Sequence, residues 1–244
     1  AQLPELLKAF RGELGDSAMA RISDKNFLKF LRWKYDVSRA TTRFEALKEW
    51  QLGSGSFVST PKQLRASEDP MLHKLLASGI VICPDGMRDK DGHKLLMGRL
   101  RLNDFSDGRT PEDLVRMILF NIEHAIQDPE TQRSGIAVFQ DMREVGPSNV
   151  SVYVPKLLLP ALLGHYPVKL KAIYILNAPW FFRNLLLPVV KMMMPAKLQE
   201  RVFVLSDLED LYKHIDRESL LEEHGGPKSH DQEAWLAARV AEEK

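Results

Sequence analysis

The sequence predicts an α/β fold with a helical N-terminal unit, on three observations. The first 55 or so residues place apolar side chains at helical spacing. Several later segments are short, nearly continuous apolar runs of strand length. Segments of helical period separate those runs, the pattern of parallel strands covered by crossover helices.

In KNFLKFLRWKYD, Phe27, Leu28, Phe30, Leu31 and Tyr35 recur at helical spacing. Asp36 or Ser38 offers an N-cap for SRATTRFEALKEWQ, which runs into the glycine- and serine-rich LGSGS. These segments read as a helical subdomain over residues 1–55, joined by a linker to a lobe over 56–244. ASGIVICP and KLLMGRLRL are short strands joined by PDGMRDKDGHK, whose Asp-Gly pairs mark turns. Counted as a calcium loop, that connection puts Met87 at the first ligand position and Gly98 at the closing one, so it reads as a solvated hairpin turn.

TPEDLVRMILFNIEHAIQD reads as a helix capped by Thr110, with Pro111 in its first turn and acidic residues near its N-terminus. GIAVFQDM is a buried strand, SNVSVYVPKLLLPALLGHY a mostly apolar helix, LKAIYILN another buried strand and RVFVLS a further one. DLEDLYKHIDRESLLEE reads as helical up to a stop at Gly225-Gly226, and EAWLAARVAEEK as a terminal helix.

Composition excludes some functions. With 34 Lys and Arg against 33 Asp and Glu, the formal net charge is +1, which gives no bulk attraction for nucleic acid. The single cysteine, Cys83, forms no intrachain disulfide or multi-cysteine zinc site and reads as a buried thiol in a strand. AQLPELLKAFRGEL mixes charges among its apolar positions, unlike a signal peptide, and no segment reaches the roughly 20 apolar residues of a membrane span.

The chain carries no nucleophile elbow, phosphate loop, dinucleotide turn or H-E-x-x-H sequence, and its seven histidines never pair at i, i+4. No metal, cofactor or catalytic residue is expected. Asp141 ends the GIAVFQDM strand, where open α/β sheets place ligands, and is read as an acceptor for backbone donors.

WFFRNLLLPVVKMMMP, Trp180 to Pro195, is interrupted only by Arg183, Asn184 and Lys191. On a regular helical wheel these three share an arc of about 100° with Trp180 and Leu187, while Phe181, Phe182, Leu185, Leu186, Val189 and Val190 fill the rest. Pro188 removes a helical donor and loosens the middle of the segment. Two readings stand: a kinked core helix, or a lid with an apolar inner face and Trp180, Arg183, Leu187 and Lys191 outward to meet a membrane. Lys169, Lys171, Lys197 and Arg201 flank the segment, either as solvated surface or as a site for an anionic phosphoinositide headgroup.

FLKFLRWKYDVSRA, HYPVKLKAIYILNAPWFF, LQERVFVL and SLLEEHGG, in this order and spacing, resemble blocks of the CRAL-TRIO lipid-binding family over nearly the whole chain. The likeness is strongest to the retinaldehyde-binding, tocopherol-transfer and clavesin branch, and ETQRSGIAVFQDM is similar to the lipid-binding domain of certain tyrosine phosphatases. The resemblance implies a helical subdomain packed on a lobe with a mixed, largely parallel sheet, and an apolar cavity closed by a gate helix at Trp180 to Met194. It also implies phosphoinositide contact at Lys169, Lys171, Lys197 and Arg201.

The expected cavity and gate residues are Phe139, Tyr153, Leu157, Leu158, Ile175, Asn177, Phe181, Phe182, Leu185, Leu186, Val189, Val190 and Met193, with Tyr153, Asn177 and Asp141 as candidate polar wall residues. Val168 stands where the phosphatidylinositol-transfer branch has glutamate, and Met192 replaces the usual proline after the gate lysine. Leu221 stands where proline commonly precedes the Gly-Gly ending. The expected function is that of a monomeric, cytoplasmic carrier that holds one hydrophobic lipid and exchanges it at membranes. A lipid sensor that recruits a partner without transfer, and a lipid hydrolase, are the alternatives.

Overall fold

The apolar runs assemble into one five-stranded sheet of order β1-β2-β3-β4-β5: Val81–Ile82, Lys94–Arg99, Ile136–Asp141, Leu170–Leu176 and Val202–Leu205. β1 and β2 pair antiparallel across the expected hairpin, and β2 through β5 are parallel. This computed structural model describes residues 3–14, 24–52 and 64–243. The expected boundary near residue 55 and most of the LGSGS linker lie outside the described residues.

The N-terminal helices Leu3–Leu14, Asp24–Lys34 and Val37–Leu52 meet around Phe10, Phe27, Phe30 and Phe44. Phe10 and Phe27 pack edge to face with centroids 5.4 Å apart, a geometry favoured by the aromatic quadrupole. Asp36 caps the third helix by accepting from Arg39 N at 2.9 Å. The unit docks on the lobe through Lys29, which bonds Glu123 at 3.0 Å, and Trp50, which stacks on His165 at 5.3 Å.

Within the lobe, the Pro111–Ala125 helix has the expected Thr110 cap, completed by Asp113 in a capping box, and covers one sheet face. The opposite face packs Leu95, Met97, Phe139 and Tyr174 against Leu211, Ile215, Leu220 and Leu221. The helix expected over DLEDLYKHIDRESLLEE is only Leu208–Tyr212. Burial of Ile215, Leu220 and Leu221 on the sheet is incompatible with continuing one straight helix, and Leu221 instead bridges Lys228 in extended form. The glycine pair therefore does not end that helix but follows the short turn Glu222–His224, where Gly225 adopts φ +78° and a Cβ on Gly226 would lie 2.1 Å from Leu220 O.

Cys83 sits one residue past β1 and is fully buried, and burial pushes its thiol up to about 11. In the β1–β2 connection, Asp89 accepts from Asp91 N, His93 N and Tyr174 Oη at 2.8–3.1 Å, so its carboxylate organises the turn. No described helix is long and apolar enough to cross a membrane.

Candidate lipid-binding cavity

Strand alternation decides which residues can reach a ligand. In β3, Ile136, Val138 and Gln140 face the helical side of the sheet, whereas Ala137 and Phe139 join the opposite core. β4 continues the floor with Ile173 and Ile175, and β2 with Leu96 and Gly98. Over this floor lies a cavity of about 240 Å3, walled by Leu114, Met117 and Ile122 of the Pro111–Ala125 helix and by Val154 and Leu158 of the Tyr153–Pro160 helix. Phe182, Leu186, Leu187, Val190 and Met194 complete the wall from the Trp180–Met194 segment. Among the described residues, none that lines the cavity carries a charge.

Of the residues expected here, Leu158, Ile175, Phe182, Leu186 and Val190 line the cavity. Phe139 does not, because strand parity turns it to the other face, where it packs 4.8 Å from His224. Tyr153 is 60% exposed, and Leu157 packs at the edge of the main core without lining the cavity. Asn177 takes φ +57° just past β4 and donates to Asp141 at 3.4 Å. Phe181 packs against a separate small core that includes Met142 and Val145.

The Trp180–Met194 segment departs from the regular wheel for a local reason. Phe182–Leu186 form a π turn, in which Leu187 N bonds Phe182 O, immediately before Pro188. A π turn takes in one more residue than an α turn, so side chains beyond it fall about 100° behind the regular wheel. Leu187, expected at the membrane, is therefore 6% exposed and lines the cavity. Leu185, Val189 and Met193, expected inward, are instead 56%, 43% and 37% exposed. Trp180 is exposed as expected, as is Arg183, and Lys191 is half-buried. Met192 adds to the same outer face. The result is a helical segment with an apolar inner side and an outer side where exposed apolar residues surround Arg183 and Asn184.

The four expected headgroup cations sit at the opening end of β4 and beside it. Arg201 donates to Leu170 O at 3.1 Å, which sets its guanidinium beside the Lys169–Lys171 stretch. Lys169 donates to Arg133 O at 2.7 Å, and burial together with the charges of Lys171 and Lys34 lowers its pKa. Lys197 is exposed on the Ala196–Gln199 helix, just after the exposed methionines. No carboxylate among the described residues forms an ion pair with these four cations.

Asp141 lies on the far side of the sheet and does accept a backbone donor, Arg143 N at 3.0 Å. It also takes Arg143 Nε at 2.6 Å and approaches His224 Nε2 at 3.1 Å. Burial raises its pKa, but the hydrogen bonds from His224 and Arg143 outweigh that and hold the carboxyl well below the usual range. Its neighbour Glu223 is engaged by Arg99 at 2.7 Å and Arg101 at 3.1 Å. Asp141, Glu223 and His224 could each offer a metal a ligand atom, but the three arginines already occupy that charge. This network tethers the His224-Gly225 corner to the sheet and does not reach the cavity.

Gln140, Asn149 and Ser151 are the polar side chains that line the cavity, and the sequence reading named none of them. For Gln140 a signal existed: it is the lone amide in an apolar strand, and its parity matches Val138. Asn149 is committed, since its side chain accepts from Gly146 N at 2.7 Å and donates to Asn103 O at 2.7 Å.

Comparison with known proteins agrees with this architecture. The CRAL/TRIO domain family matches residues 78–226. The chain is 31% identical over 229 residues to human alpha-tocopherol transfer protein-like, covering 91% of this chain and 64% of that protein. It is 28% identical over 223 residues to human clavesin-2, covering 86% and 64%. It is also 28% identical over 203 residues to human tyrosine-protein phosphatase non-receptor type 9, covering 83% of this chain and 32% of the phosphatase. The chain thus spans about a third of the phosphatase and just under two thirds of the other two relatives. The crystal structure of Sfh5 shares the fold, with a TM-score of 0.57 at 13% identity, covering 100% of this chain and 94% of that one.

Proposed function

The chain belongs to the CRAL/TRIO family of lipid-binding domains, and on that premise we propose that it holds one hydrophobic, lipid-like molecule in the cavity and exchanges it at membranes. The observation that carries this reading is the uncharged cavity beneath a helical segment whose outer face also exposes large apolar side chains. Binding comes mainly from burial of apolar surface, at about 25 cal/mol per Å2 before ordering costs are subtracted.

Release requires the Trp180–Met194 segment to act as a gate. A bilayer favours the open state only if it contacts that state better. Trp180, Leu185, Val189 and Met192 supply apolar contact, Arg183 and Lys191 cationic contact. The π turn followed by Pro188 is the natural hinge, since backbone hydrogen bonding is weakest there. Lys169, Lys171, Lys197 and Arg201 are proposed to hold an anionic phosphoinositide headgroup during docking, and the protein is proposed to be a cytoplasmic monomer that binds membranes transiently. Residues 1–55 act as the helical subdomain and 56–244 as the lipid-binding lobe. Among the described residues, none that lines the cavity has a titratable side chain to do acid–base work, which favours a non-enzymatic carrier.

A sensor that binds lipid and recruits a partner is the second reading, favoured by the likeness to a tyrosine phosphatase that carries a similar region. Vesicle assays separate the two. A carrier moves a fluorescent hydrophobic ligand from donor to acceptor vesicles at a rate that rises with protein concentration, whereas loading without movement between vesicles would replace exchange by sensing.

A further inference from the structure

The outer face of the Trp180–Met194 segment carries sulfur as well as hydrocarbon. Met192, the last residue of the Leu187–Met192 helix, is 85% exposed, and Met193 beside it is exposed too. Among the described residues no other methionine is exposed: Met87, Met97, Met117 and Met142 are at most 1% exposed, Met71 is half-buried and Met194 turns into the cavity wall. The backbone holds these directions apart, with Met193 N donating to Val190 O at 3.1 Å and Met194 N to Lys191 O at 2.9 Å. Cys83, the one thiol, does not compete for an oxidant. It is fully buried, and a thiol pushed up to about 11 holds almost no thiolate at neutral pH. Leu185 and Val189, which share the outer face, offer a peroxide no sulfur. Met192 is thus the most accessible oxidisable sulfur among the described residues.

Resting on the reading of this surface as the membrane-docking face, we propose that Met192 is a reversible oxidation site whose co-substrate is a hydroperoxide, and that its oxidation releases the protein from bilayers. The sulfur lone pair attacks the terminal peroxide oxygen, so that an S–O bond forms as the O–O bond breaks. The thioether gives up two electrons and becomes the sulfoxide. Hydrogen peroxide leaves as water, or a lipid hydroperoxide as its alcohol, each keeping the proton the peroxide carried. A dithiol reductant acting through methionine sulfoxide reductase restores the thioether, with water and a disulfide as products. The sulfoxide replaces a flexible apolar side chain by a polar one. Among acyl chains such a group lacks a partner, whereas in water it is solvated, so oxidation penalises the docked state alone.

The test treats the purified protein with hydrogen peroxide, maps oxygen uptake by peptide mass spectrometry and measures binding to phosphatidylcholine and phosphatidylserine vesicles before and after. Met192 is expected to take up oxygen first, Met193 more slowly, and the buried Met117 and Met194 only once the protein unfolds. Vesicle affinity should fall about fivefold with the melting temperature unchanged, and return after methionine sulfoxide reductase with dithiothreitol. Vesicles bearing phosphatidylcholine hydroperoxide, used in place of hydrogen peroxide, identify the source. Faster sulfoxide formation on them assigns the oxidant to the bilayer and slower formation to the aqueous phase, and either supports the site. In Met192→Leu the ratio of affinities before and after peroxide should be near one, whatever the starting affinity, and in Met193→Leu the loss should persist. Oxygen uptake at Met192 no faster than at Met117, affinity that survives complete oxidation of Met192, or an undiminished loss in Met192→Leu overturns the assignment. Unoxidised protein that binds no vesicles sinks the docking reading itself, and the release with it.

Discussion

Asp141 is 1% exposed and held by Arg143 and His224, so its worth to the fold can be read through pH. Its folded pKa lies below the ordinary carboxylate value of about 3.9. A depressed pKa contributes stability that is complete above the unfolded value and is lost as pH falls through the folded one. Asp141→Asn should therefore cost about 3 kcal/mol at pH 7, the scale of breaking a buried pair. That deficit should shrink by about 1 kcal/mol at pH 3. Urea midpoints at the two pH values measure this, and a deficit independent of pH would contradict it. At the basic cluster, Lys197→Ala with Arg201→Ala should weaken binding to phosphoinositide vesicles by about 2 kcal/mol, roughly 30-fold, in low salt. The loss should fade as salt rises. Unchanged vesicle affinity would leave these cations as solvated surface. The end of β3 made Asp141 visible in the sequence as a backbone acceptor. Its ion partners were not, since Arg101 and His224 come from segments 40 and 83 residues away.

At the scale of elements, the strands and the Pro111–Ala125 helix were legible because period and caps agree there: Thr110, Pro111 and Asp113 mark one end unambiguously. The Trp180–Met194 segment was legible as a helix weakened by Pro188 but not in its phase. A π turn leaves no periodic trace, so Leu187 and Val189 exchanged their expected sides. The same limit applies to Phe139, where the apolar run IAVF conceals which parity meets the cavity. The corrected phase makes a distinct prediction. Val189→Ser and Met192→Ser should each weaken partitioning onto vesicles by about 1 kcal/mol, with little change in thermal stability because both side chains face outward. Leu187→Ser should do the reverse, destabilising the fold from within the cavity wall. Equal vesicle affinity across the three variants would contradict the outward face drawn here.

At the scale of the molecule, the sheet divides the lobe into two unlike halves. One side is a packed core braced by the arginine and carboxylate network at its rim. The other encloses the uncharged cavity between sheet and helices, closed by a segment broken at its middle. Rigidity on one face and a weakened wall on the other are what the proposed exchange of a ligand requires. This architecture was readable from motif order along the chain, but the polar part of the cavity wall was not, since Asn149 and Ser151 come from a connection with no periodic pattern. The most direct measurement is mass spectrometry of the purified protein, native and after organic extraction. The account predicts one neutral hydrophobic molecule per chain, retained in native spectra and released into solvent. Repeated preparations that neither carry nor take up any stoichiometric lipid would contradict it.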